Sequence, residues 1–88
     1  MKPIDPGRLQ RDVGRRIAEL RADRGLTQER LAELADVTAR YVQSVEGGNE
    51  NLTLETIAKL ANILKAPVIS LFEPPVTKKP RPGRPKKA

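Results

Sequence analysis

Eighty-eight residues provide one small domain with one modest core, and with Tyr41 and Phe72 as the only aromatic residues that core must be aliphatic. The absence of Cys and His excludes disulfides and thiolate metal sites, makes a zinc site implausible, and leaves no cofactor to expect. The formal charge of +6 points to a polyanionic partner, but its distribution is uneven: residues 1–73 carry eleven basic and eleven acidic side chains, while residues 74–88 carry six basic and none acidic.

Residues 1–7 form a leader that ends at Pro6-Gly7. Leu9, Val13, Ile17 and Leu20 then recur at helical spacing and predict a first helix from about Arg8 to Asp23, closed by Gly25 in the left-handed conformation. Thr27 is the cap of a second helix, Gln28 to Ala35, with Leu31, Ala32, Leu34 and Ala35 on its apolar side and Glu29 at its positive end. Asp36-Val37 breaks the chain. Thr38 starts a third, very short helix, Ala39 to Val45, with Val42 and Val45 inward and Ala39, Arg40, Gln43 and Ser44 on the outer face. Such a helix does not stand alone in water; clamped against neighbours, it has the size to enter a DNA major groove.

Residues 46–51, Glu-Gly-Gly-Asn-Glu-Asn, form a loop by composition. Thr53 caps a fourth helix, with Leu54, Ile57, Ala58, Leu60, Ala61 and Leu64 as a broad apolar stripe. Pro67 suits the first turn of a short fifth helix, with Val68, Leu71 and Phe72 pointing into the core and Ile69 off that stripe. Pro74-Pro75 ends it. The expected architecture is therefore all-α: a compact five-helix domain over residues 8–73, followed by a Pro-rich basic tail over residues 74–88 with too little apolar surface to fold.

From Arg21 to Phe72 the chain resembles the phage repressor and Cro-type helix-turn-helix domain, the Xre-like family with the lambda-repressor-like fold. The resemblance rests on R-G-L-T-Q-E-R-L-A at residues 24–32, V-T-x-x-Y-V-x-x-V-E at 37–46, the Gly47-Gly48 loop, L-T-L-E-T-I-A-K-L-A at 52–61 and A-P-V-I-S-L-F at 66–72. It implies that the helix from Ala39 is the recognition helix, with Ala39, Arg40, Gln43 and Ser44 facing base edges. Arg can bridge guanine O6 and N7, Gln can pair with adenine N6 and N7, and a small residue can meet a thymine methyl. It further implies phosphate contacts at Arg21, Gln28, Thr38, Tyr41, Asn49 and Asn51, and pairing of Arg21 with Glu46. Structural alternatives stand beside these roles: an ion pair for Arg21, core cover for Tyr41, turn formation for Asn49 and Asn51. Two positions depart from the family pattern, Asp36 where the turn commonly has Gly and Leu52 where a Pro-like residue is common. The family habit of binding two-fold operators makes Val68 and Ile69 a candidate homodimer patch.

The tail segment from Lys79 to Lys87 resembles an AT-hook, with Pro82 inserted between Arg81 and Gly83. Its basic residues, Lys78, Lys79, Arg81, Arg84, Lys86 and Lys87, are expected either to line an A·T-rich minor groove or to neutralise phosphates as a polybasic arm; a linker without a DNA role is the third reading.

The leading functional expectation is a sequence-specific transcriptional regulator that binds double-stranded DNA as a homodimer on a partly palindromic operator. The alternatives are an antitoxin or other protein-interaction module, whose protein partner is unknown, and an architectural protein of A·T-rich DNA. Enzyme chemistry is not expected, since the carboxylates are spread along solvated helix faces. No apolar run approaches the roughly 18 residues of a membrane span, and the N-terminus lacks an apolar signal region, so a cytoplasmic, nucleoid-associated protein of bacterial or phage type is expected.

Overall fold

In the computed structural model, which describes residues 2–77, four α-helices follow one another: α1 (Pro6–Asp23), α2 (Gln28–Ala35), α3 (Ala39–Glu46) and α4 (Leu54–Leu64). Each begins on a side-chain cap. Asp5 accepts the amide of Arg8, Thr27 that of Arg30, Thr38 that of Tyr41 and Thr53 that of Thr56, at 3.0–3.1 Å. α1 starts at Pro6, two residues ahead of the expected Arg8, because Asp5 supplies the cap and Pro6 occupies a first-turn position that needs no amide hydrogen.

The helix ends share a second device. Gly25, Asp36, Gly48 and Lys65 all adopt positive φ, and the residue after each donates its amide back into the last turn. Thus Val37 N–H reaches Ala32 O at 3.0 Å and Ala66 N–H reaches Ala61 O at 3.0 Å, which occupies carbonyls a helix end would otherwise leave unpaired. Asp36 takes φ 59° and ψ 45°, so Asp serves in the turn where Gly is usual.

The expected fifth α-helix is instead a 3-10 helix, Val68–Phe72. Pro67 before it and Glu73 after it are both extended, which leaves five residues. A segment that short, opening with two β-branched residues, cannot establish the cooperative α-helical ladder and closes with tighter turns such as Ser70 N–H to Pro67 O at 2.9 Å. With three residues per turn, Ile69 and Phe72 share a ridge. Of the inward trio expected there only Leu71 is buried; Val68 and Phe72 are exposed.

The core comprises Val13 and Ile17 of α1, Leu31, Ala32 and Ala35 of α2, Val42 and Val45 of α3, Ile57, Leu60, Ala61 and Leu64 of α4, and Leu71. Leu9, Leu34, Leu54 and Ala58, expected on apolar faces, lie exposed, because the helices are too few to cover stripes that broad. α3 packs on α1 and α2, α4 on α2, and the 3-10 helix spans α1 and α4. Gly14 makes the α1–α3 approach possible: a β-carbon there would lie 2.2 Å from Val45 O.

Candidate nucleic-acid interface

α3 is fixed from behind. Val42 and Val45 are buried in the core, and Ala39 and Tyr41 are half-buried against it. Its outward strip is therefore Arg40 and Gln43, both exposed, with Ser44 partly covered beside them. Among the described residues Arg40 joins no ion pair. Ala39 thus contributes less to the outer face than its sequence position implies.

The base of this helix is tied to the rest of the domain through Glu46. Its buried carboxylate receives Arg21 Nε at 2.6 Å and Arg21 Nη2 at 3.0 Å, and Gln28 Nε2 at 2.8 Å. A third guanidinium nitrogen, Nη1, donates to Leu26 O at 2.8 Å. One carboxylate thereby joins α1, the start of α2 and the end of α3. A negative charge at a helix C-terminus is unfavourable alone, and a bidentate arginine offsets it. Arg21 and Gln28 stand together at this brace, so their positions relative to α3 are set before any ligand arrives. Thr38 uses its oxygen as the α3 cap and retains its hydroxyl hydrogen for donation.

Beyond α3, Asn49 and Asn51 are exposed in the loop, and Asn49 N–H donates to Ser44 O at 2.9 Å. In the same loop Glu50 accepts a 2.8 Å hydrogen bond from Ser44 Oγ. On the other side, Lys59 of α4 donates to Ala35 O at 3.0 Å, placing a cation at the C-terminal end of α2 beside Asp36. Tyr41, Val37, Thr56 and Lys59 contribute to the lining of a cavity of about 70 Å³ between α2, α3 and α4.

Far along the chain, Glu19 is 6 % exposed and accepts both the amide and the hydroxyl of Thr77 at 2.7 Å, together with Arg16 at 3.2 Å. Burial by itself would raise its pKa, but the Thr77 donors and then Arg16 outweigh it and hold the carboxyl below its ordinary value. Arg16 also reaches Ser70 O at 2.8 Å and Glu73 at 3.0 Å. Val68 and Ile69 are exposed on the 3-10 helix, and Phe72 joins them. The predicted tail contacts, Lys78, Lys79, Arg81, Arg84, Lys86 and Lys87, lie outside the described residues.

The amino-acid pattern does not disclose Glu50, Lys59 or the Glu19–Thr77 contact, all of which depend on partners brought near by tertiary packing. Gly14 is the signal of close approach that the sequence does carry, as an isolated Gly within a helical pattern. Among the described residues no group of three or more acidic side chains is arranged to hold a metal ion, and no helix is long and apolar enough to cross a membrane.

A family profile described as a helix-turn-helix domain matches residues 12–70, from the middle of α1 into the 3-10 helix. The chain belongs to this family. Its sequence relatives include the uncharacterized HTH-type transcriptional regulator y4dJ of Sinorhizobium fredii, 33% identical over 66 residues that cover 75% of this chain and 86% of that protein. The restriction-modification controller protein C.AhdI of Aeromonas hydrophila superposes with a TM-score of 0.74 at 39% identity, over 78% of this chain and all (100%) of that one. SinR, a master regulator of biofilm formation solved in complex with DNA, superposes with a TM-score of 0.65 at 29% identity, over 69% of this chain and 98% of its own. The Xre-type helix-turn-helix resemblance read from residues 21–72 holds, and with it the character of a DNA-binding transcription regulator.

Proposed function

We propose that this helix-turn-helix protein is a sequence-specific regulator that binds double-stranded DNA as a homodimer, each copy inserting α3 into the major groove of one half-site. The observation that carries this reading is the division of α3 into a face locked in the core and an exposed strip bearing Arg40 and Gln43. Arg40, Gln43, Ser44 and the half-buried Ala39 are the base-facing set. Arg21, Gln28, Thr38, Tyr41, Asn49 and Asn51 are the phosphate-facing set, and the Arg21–Glu46–Gln28 brace supports the register between the two. The exposed Val68, Ile69 and Phe72 form the self-association patch, more apolar than the sequence suggests. Lys78, Lys79, Arg81, Arg84, Lys86 and Lys87 add phosphate or minor-groove contacts.

Such a dimer presents its two recognition helices to half-sites about one helical turn, roughly 34 Å, apart. Selection of bound sites from random DNA with the full chain tests this. The expected result is one enriched sequence with two-fold symmetry and that spacing. A flat profile, or enrichment of A·T content alone, would overturn it in favour of an architectural protein.

A further inference from the structure

The recognition face carries a residue that neither the helical pattern nor the turn chemistry singles out. Glu50 lies outside α3, in the loop after it, yet its Oε2 accepts a 2.8 Å hydrogen bond from Ser44 Oγ. Ser44 is one helical turn beyond Arg40 and adjoins Gln43 on the outward strip. The carboxylate is therefore brought onto the side of the helix that presents Arg40 and Gln43. It is half-buried there, and its second oxygen, Oε1, takes part in no side-chain hydrogen bond among the described residues. The loop is held independently: Asn49 N–H donates to Ser44 O at 2.9 Å, and Gly48, at φ 81°, sits against the Arg11 backbone. The carboxylate is thus fixed from two directions.

The family resemblance has Ser44 facing base edges. The geometry gives its hydroxyl a different task. Its hydrogen is committed to Glu50, so what the surface presents at this point is an acceptor with full negative charge. A carboxylate in a major groove accepts a hydrogen bond from the cytosine N4 amino group; adenine also offers an N6 amino group, but beside an N7 lone pair that repels the charge, and guanine O6 and N7 and thymine O4 present only lone pairs. The carboxylate is also repelled by phosphate, so it does not join the phosphate contacts proposed for its neighbours Asn49 and Asn51.

We propose that Glu50, positioned by Ser44, is a specificity-determining residue that selects cytosine at one position in each half-site. This rests on the reading of α3 as the recognition helix. A uniformly basic face would bind any sequence more tightly; a fixed acid lowers affinity for wrong bases and so separates right from wrong sites.

The test is selection from random DNA with three full-length proteins: wild type, Glu50→Gln and Ser44→Ala, each checked for an unchanged thermal transition. Wild type is expected to enrich a symmetric site with cytosine at one position in each half. Glu50→Gln carries both a donor and an acceptor, and should lose roughly tenfold in discrimination at that position while the others hold. Ser44→Ala leaves the charge but frees the carboxylate, so it should weaken the same preference in part. If Glu50→Gln enriches the wild-type site unchanged, or tightens binding equally on every sequence, the carboxylate reads no base and the inference fails. If wild type itself enriches no site, the recognition-helix reading fails first, and the inference falls with it.

Discussion

Two side chains show how differently a charge is used in this small domain. Arg40 is exposed on α3 and belongs to none of the ion pairs among the described residues, so in its proposed base-reading role it has no ion pair to break first. Arg40→Ala should relax specificity at one base position per half-site and cost about 1–3 kcal/mol on the preferred site, with little effect on thermal stability. Equal loss on all sequences in a competition assay would assign Arg40 to phosphate instead. Glu19 is the opposite case, buried and satisfied by Thr77 and Arg16. Its pKa in the folded protein is lowered, so its stabilising contribution is complete above the ordinary carboxylate range and is lost as pH falls through the folded value. Glu19→Gln should cost about 1–2 kcal/mol at pH 7. The gap between the variant's and the wild-type urea midpoints should close in acid; a gap independent of pH would mean that packing, not ionisation, holds Thr77.

At the scale of elements, the α-helices are legible in the sequence because local chemistry suffices. Thr27, Thr38 and Thr53 each mark a helix start, and apolar residues at i, i+3 and i+4 mark the helix body. The outward strip of α3 comes from the same periodicity. Local chemistry does not disclose how many apolar positions the domain can cover, which is why Leu54 and Phe72, expected inward, lie exposed. Nor does it distinguish five residues of 3-10 helix from a short α-helix, since both begin after Pro67 and end at extended backbone. The tighter winding aligns Ile69 with Phe72 on an exposed ridge beside Val68, the surface proposed for self-association. Ile69→Asp places a charge in that patch and should shift sedimentation from dimer to monomer while the thermal transition moves little, since Ile69 is already 69% exposed. A variant that remains dimeric would move the self-association surface elsewhere.

At the scale of the molecule, the proposed recognition face and the excess positive charge lie in different segments. Residues 1–73 sum to zero charge, and many of their basic groups are already engaged: Arg21 on Glu46, Arg16 on Glu19 and Glu73, Arg30 on Glu33. Long-range attraction to a polyanion is then expected from residues 78–88, which contain all six of the excess basic residues. The Glu19–Thr77 contact makes a clean cut possible, because removal after Thr77 takes every one of those charges and leaves the anchoring hydrogen bonds in place. Each phosphate neutralised contributes about 0.9 to the slope of log affinity against log salt. Deleting residues 78–88 should therefore flatten that slope by up to about 5 and weaken binding most at low salt, measured by titration of a labelled operator across salt concentrations. The enriched site should stay the same, since the proposed base-facing residues of α3 and the neighbouring Glu50 are untouched. A site that changes with the deletion would show that the tail reads bases, as a minor-groove hook does, and that specificity is shared between the two segments.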